Sequence, residues 1–366
     1  MLKFSFMRKL FFMAALASVA FASCTKDENF YENEKQNANQ EITFTPVAYK
    51  NGSRAIIDGP NYPTTETFSV YAWKGALTTG KNTQLYINKS KVSYVSNHNG
   101  SAAWVPEKTY YWPKKDKLDF FAFSPSTYAG TINVSNTEAI TMTHTLNQST
   151  NNEMDLMFTD KVIAKTSNDT QGNTITPNVQ NGVALKFKHA LSQLKFKVAM
   201  KDVGDGVSRT LTVKSITLEG LNSAGTLTLT APEDWSISEN WKTAEWATNT
   251  NDATYKYTGL NISSISTSPT AIVGDDESVN VAWLILPQDE VGKLTIVADI
   301  VTGTSTETDI NYTATLASSE ITKWEMGKIY TYTITLNPVS NNEILFVPSV
   351  EAWTDGTGTQ DIDPAA

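Results

Sequence analysis

Apolar and polar residues alternate along most of this chain, in short runs that begin near residue 41. Ile42/Phe44, Phe68/Val70, Leu118/Phe120, Val213/Ile216/Leu218, Leu227/Leu229, Val281/Trp283/Ile285 and Tyr330/Tyr332/Ile334 mark them. A period of two puts every second side chain on one face, the pattern of a half-buried strand. The runs are rich in Thr, Val, Ile and aromatics, which suit a pleated surface. Turn dipeptides separate them, among them Asn51-Gly52, Asn99-Gly100, Asp205-Gly206 and Asp355-Gly356. A helical period is nearly absent. The chain is therefore predicted to be all-β and sandwich-like.

The stretch Thr166 to Gly182 breaks this pattern, being dominated by Ser, Asn, Asp, Thr, Gln and Gly. It predicts a division into an N-terminal sandwich over 41–180 and a C-terminal one over 181–366. Just beyond it Leu185, Phe187, His189 and Leu191 alternate, and Leu194, Phe196 and Val198 continue in the opposite phase. A bulge near Ser192-Gln193 is the expected cause.

Residues 1–40 follow different rules. Lys3, Arg8 and Lys9 precede the apolar run Leu10 to Ala22, which is too short to span a bilayer. Small residues then lead to Cys24, the single cysteine of the chain. The layout is a signal peptide over 1–23 ending at a lipobox, with Cys24 as the lipidated residue. Residues 24–40 are polar and aperiodic and read as a flexible tether. Lys26-Asp27-Glu28 is similar to the acidic surface-export signals of Bacteroidetes lipoproteins, and on charge alone is a solvated stretch. The expected location is the cell outer membrane and cell surface.

Composition narrows the function. Three of the 29 basic residues precede Cys24, leaving 26 against 38 acidic ones, a net −12 for the mature chain. An acidic surface argues against nucleic acid as a partner. With its one cysteine committed to lipid, the chain has no internal disulfide. Its stability must come from burial, supplied by 9 Trp, 14 Tyr and 15 Phe. His98, His144 and His189 lie in unrelated segments without metal-ligand spacing. No nucleophile elbow, zinc-protease motif or phosphate loop is present. No enzyme, metal or cofactor is expected. Tyr110-Tyr111-Trp112 reads as core packing, with a sugar-stacking platform as the alternative.

Several stretches together carry a resemblance. Glu41-Ile-Thr-Phe-Thr-Pro-Val47 leads to Ser53-Arg54-Ala55 and Phe68-Ser-Val-Tyr-Ala-Trp73. Tyr110-Tyr-Trp-Pro113 and Leu118-Asp-Phe-Phe-Ala-Phe-Ser-Pro125 follow. Asp155-Leu-Met157, Leu185 to Leu194 and Ala282-Trp-Leu-Ile-Leu-Pro-Gln288 complete the series. In this order behind a lipobox they resemble the fimbrillin family of Bacteroidetes, the lipoprotein-derived pilins. The resemblance implies two tandem transthyretin-like β-sandwich domains and a pilus subunit serving adhesion, with other fimbrial subunits as partners. It also implies cleavage by an Arg-specific surface protease, here between Arg54 and Ala55. The first strand (41–50, with Ile42, Phe44 and Val47) would leave, and a C-terminal strand of a neighbour would replace it. The segment 343–353, with Ile344, Phe346, Val350 and Trp353, is the candidate donor.

The residues themselves speak to that implication. Arginine is scarce: beyond Arg8 the chain has only Arg54, in a turn after the first strand, and Arg209, which opens an alternating run. Ile42-x-Phe44-x-Pro46-Val47 recurs as Ile344-x-Phe346-x-Pro348-x-Val350. Proline lacks the N–H of a central strand, so both are expected at sheet edges or breaks. Shared alternation is what two occupants of one groove require. A shaft, tip or anchor role remains open, as does a glycan-binding surface lipoprotein of a polysaccharide-uptake system.

Overall fold

The computed structural model describes residues 41–47, 62–74, 84–113, 118–134, 139–147, 154–164, 182–233, 240–274, 280–288, 292–316, 321–340 and 344–352. The described residues hold strands and no helix. In chain order the strands are β1 (Phe44–Val47), β2 (Phe68–Lys74), β3 (Gln84–His98), β4 (Ser101–Pro106), β5 (Leu118–Ser124), β6 (Ile132–Asn133), β7 (Ala139–Thr145), β8 (Met157–Thr159), β9 (Val162–Ala164) and β10 (Val183–His189). They continue as β11 (Ser192–Met200), β12 (Arg209–Thr230), β13 (Thr243–Ile265), β14 (Thr270–Gly274), β15 (Asn280–Val281), β16 (Trp283–Ile285), β17 (Lys293–Thr302), β18 (Ser305–Thr315), β19 (Lys328–Leu336) and β20 (Ile344–Ala352).

The first sheet runs β2-β3-β4-β1-β10-β8-β5-β9. β2 also pairs with β5, from Ser69↔Phe123 to Lys74↔Leu118. That extra ladder closes β2, β3, β4, β1, β10, β8 and β5 into a ring. Closure satisfies the backbone groups that an open sheet leaves unpaired at its edges. Ile42, Phe44, Phe68, Val70, Trp104, Phe120, Val183 and Leu185 fill the interior.

The other strands form two sheets. One runs β15-β14-β11-β19-β20 with β16 beside β11, and the other runs β18-β17-β12-β7-β6 with β13 along β12. A second apolar cluster joins them, with Leu194, Phe196, Tyr332 and Ile334 from the first and Leu211, Ile216, Leu294 and Ile296 from the second. β12 and β13, of 22 and 23 residues, form a hairpin that serves both halves. β12 lies beside β17 over Arg209–Glu219, then beside β7 over Ala224–Thr230. Its Leu227 and Leu229 belong to the same apolar cluster as Tyr71, Trp73, Phe121 and Phe123 of the ring. β5 is therefore buried on both faces: Phe120 points into the ring and Phe121 towards the second half.

Two sequence expectations meet a different arrangement here. β10, assigned to the half beginning at 181, pairs with β1 and β8 of the ring. β6 and β7, assigned to the half ending at 180, pair with each other and with β12. The phase slip expected from a bulge at Ser192-Gln193 is instead the gap between β10 and β11, which lie in different sheets. Ending one strand and starting another shifts the alternation just as an inserted residue does. The crossing is pinned: Ala190 N donates to Leu156 O at 2.8 Å, Gly327 N to Leu191 O at 3.0 Å and Trp246 Nε1 to Ala190 O at 2.7 Å.

Candidate functional site

β1 is a short stave of the closed ring, four residues between β4 and β10. Thr43 O accepts from Val183 N at 2.8 Å, and a parallel ladder follows from Phe44↔Val183 to Val47↔Lys186. Backbone groups alternate sides along a strand, so Phe44 and Pro46 turn theirs to β4. There the ladder consists of one pair, Phe44↔Trp104. Pro46 has no N–H with which to extend it. Of the two places expected for this proline, an edge or a break, Pro46 takes the second: β1 is internal, and Pro46 sits on the flank where pairing stops.

The side chains hold β1 more firmly than its hydrogen bonds do. Ile42 and Phe44 are buried. The Phe44 ring meets Phe68 and Phe120 edge-on, at 6.0 and 5.7 Å between centroids, the favoured geometry for aromatic quadrupoles. Ile42 N donates to Tyr110 O at 2.8 Å. Glu41 Oε2 lies 2.7 Å from His98 Nε2 and accepts from Asn99 Nδ2 at 3.5 Å. The turn after β3 therefore clasps the entry to β1. Nothing in the local sequence links residues 41 and 98, so this contact shows only in the fold.

Gly182 completes the seat. Its φ is +93°, and a Cβ there would stand 2.9 Å from backbone atoms of Phe44. Gly182→Ala should cost at least about 1–2 kcal/mol from the left-handed backbone alone, with a steric push on β1 added. Hydrogen exchange should show faster opening at residues 43–47 than at β19, and uniform protection would contradict the assignment.

The candidate donor occupies the opposite situation. β20 is the last strand of its sheet and pairs with β19 from Lys328↔Ala352 to Leu336↔Ile344. Ile344, Phe346, Pro348 and Val350 stand opposite Leu336, Ile334, Tyr332 and Tyr330, which are buried. The other face carries Leu345 at 52% and Val347 at 69% exposure. β20 carries apolar residues on both faces, and Val350, on the face of Ile344, is also exposed, at 47%. β1 and β20 lie in separate sheets, so their shared pattern reflects no contact between them within one chain. Cys24, Arg54, Ala55 and Trp353 fall outside the described residues.

A closed ring with a short stave at β1 is joined to a sandwich that ends in an edge strand. The model of the fimbrillin-like family matches residues 53–353. The chain belongs to the fimbrillin-like family. A crystal structure of a fimbrial protein from Bacteroides vulgatus ATCC 8482 shares the fold, with TM-score 0.59 at 19% identity over 86% of this chain and 100% of that one. A putative cell adhesion protein from Bacteroides uniformis ATCC 8492 is similar at TM-score 0.48 and 15% identity, over 86% and 99% of the two chains. No curated protein matches the chain in sequence.

The other residues singled out take structural places in this fimbrillin-like chain. Arg209 opens β12, pairs with Thr302, and donates twice to the Asp205 carboxylate at 2.7 and 2.9 Å. Those hydrogen bonds hold the Asp205 carboxyl down at about 2. A depressed carboxylate contributes above its ordinary value and is lost as pH falls through the folded one, so the clasp persists at neutral pH. His189 is buried with Nδ1 at 3.0 Å from Asp155 Oδ1, and His144 stacks on Tyr128. No cluster of three metal-ligating side chains occurs among the described residues. Trp112 is buried against Phe120, and Trp241 packs edge-on to Phe121 while donating to Thr159 O. The Trp112 indole is enclosed, while Trp241 is half-buried.

Proposed function

We propose that this protein is a fimbrial subunit that is exported as a surface lipoprotein through Cys24 and cut after Arg54. It then polymerises by strand exchange, in which β20 of one subunit takes the place of β1 in the next. Its partners are other fimbrial subunits, an Arg-specific surface protease and, until the cut, the outer membrane. The supporting observation is the seat of β1: a four-residue stave tied to β4 by one residue pair and held mainly by Ile42 and Phe44.

Such a strand is stable while it is covalently attached and weakly held once it is not. Attachment makes its docking intramolecular, with a high effective concentration. After cleavage the short peptide loses that advantage, and a vacated groove between β4 and β10 offers unpaired backbone groups and an apolar floor to another chain. Ile344, Phe346 and Pro348 repeat the spacing of Ile42, Phe44 and Pro46. β20 has nine residues against four, so it can extend the ladder beyond the point where β1 stops.

The test begins with the N-terminus of the protein recovered from the cell surface. A start at Ala55, with loss of both processing and polymer in Arg54→Ala, is the expected result. An Arg-specific protease added to the folded precursor should cut after Arg54 and spare Arg209, whose backbone is in a ladder and whose side chain is 10% exposed. A blocked, lipidated Cys24 on the assembled protein would replace the shaft role with that of an anchor. Folded precursor that resists the protease at Arg54 would overturn the processing step.

A further inference from the structure

The ring contains a buried charge pair that the assembly scheme does not use. Lys161 Nζ lies 3.9 Å from Asp119 Oδ2, and both side chains are 1% exposed. Asp119 sits on β5 between Trp73 and Ile163 on the neighbouring strands. Alternation along β5 puts it on the face of Phe121 and Phe123, which is turned to the second half of the molecule. Trp241 comes from that half and packs on Phe121 with ring centroids 5.8 Å apart. The pair is thus cut off from water, on a face of β5 that carries aromatic side chains.

Two charges in such a place carry a large desolvation cost, which attraction offsets only with good geometry. The separation of 3.9 Å exceeds the roughly 2.7–2.9 Å of a charge-assisted hydrogen bond. At that distance the two groups share no charge-assisted hydrogen bond with each other, and a neutral link between the same side chains removes the cost of burying both charges. We infer that Lys161 and Asp119 condense to an intramolecular amide. A proton passes from the Lys161 ammonium to the Asp119 carboxylate, the neutral amine then attacks the carboxyl carbon, a C–N bond forms and one C–O bond breaks. The departing oxygen takes two of the ammonium protons and leaves as water, and the third proton stays on the amide nitrogen. No oxidant, reductant or co-reactant enters. Fixed proximity replaces an encounter in solution, and a dry site opposes the reverse hydrolysis.

The link has a structural use. β9 has three residues and its one ladder is to β5. An amide from Asp119 on β5 to Lys161, immediately before β9, makes that junction covalent. It would fasten the segment from β8 to β9 onto β5 while the far side of the ring, at β1, is opened.

Mass spectrometry of the intact full chain decides the matter without a variant. The expected mass is lower than that of the sequence by one water, allowing for whichever N-terminus is found. Digestion should yield a branched species joining the Asp119 and Lys161 peptides, unaffected by hydroxylamine. Lys161→Arg keeps the charge and removes the nucleophile, so it should restore the full mass. A full-mass wild-type chain with separate Asp119 and Lys161 peptides overturns the inference. So does a water-light mass that maps to the succinimide-prone Asp205-Gly206 or Asp355-Gly356 and is opened by hydroxylamine. Neither result depends on cleavage or polymerisation, so strand exchange stands or falls separately.

Discussion

Phe44→Ala is expected to destabilise the uncleaved protein by about 3–5 kcal/mol, whereas Val347→Ala should change it by less than about 0.5 kcal/mol. Both positions are apolar residues in strands, and the difference lies in what surrounds them. Phe44 is 2% exposed and wedged edge-on between Phe68 and Phe120. Truncating it leaves a cavity beneath a stave whose hydrogen bonds on one flank already end at Trp104. Val347 is 69% exposed on the open face of an edge strand, where truncation opens no cavity. Denaturant unfolding of the full chain compares them directly, through the shift in midpoint at constant slope. If the two variants cost the same, β1 does not hold the ring closed.

Truncation after Ser340 should abolish the polymer and leave a folded, protease-competent subunit. The deletion removes β20, which has a ladder on one side only and covers one side of β19. β19 keeps its eight-residue parallel pairing with β11, from Gln193↔Ile329 to Met200↔Leu336, and the sandwich keeps its interior. The ring is untouched, so the truncated chain should still receive a strand although it cannot give one. Mixed with cleaved full-length subunits, it should cap filaments at one end and shorten them in proportion to its fraction. Undiminished laddering on a denaturing gel would move the donor elsewhere.

Much of this architecture is visible in the one-dimensional pattern, and the exceptions share a cause. Alternation reports a strand with one buried face, and it marks β12, β17 and β19 plainly, where inward Leu, Ile and Tyr residues alternate with Thr. It fails for Leu118–Ser124, all buried, because the ring takes one face and the second half takes the other. It misleads at 185–198, where two strands in different sheets meet with the phase slip of a bulge. The polar stretch at 166–182 suggested a clean division, yet β7 and β10 lie on opposite sides of that line from the sheets they join. Strand exchange between halves is a long-range property, and a local composition change does not record it. For the candidate site, Ile42, Phe44 and Pro46 were legible as a pattern. Their position as an inner stave was not, because the parallel partner Val183–Lys186 lies far along the chain.

The pinned crossing at Ala190–Leu191 carries a mechanical meaning. Its carbonyls and amide are taken up by Leu156, Trp246 and Gly327, and the long β12–β13 hairpin runs alongside both halves. A linker of that kind transmits torque instead of absorbing it. In a filament, each subunit would then behave as a stiff link of fixed shape. Compliance would reside at the joints between links, so curvature under flow would be set by how tightly one strand fits its neighbour.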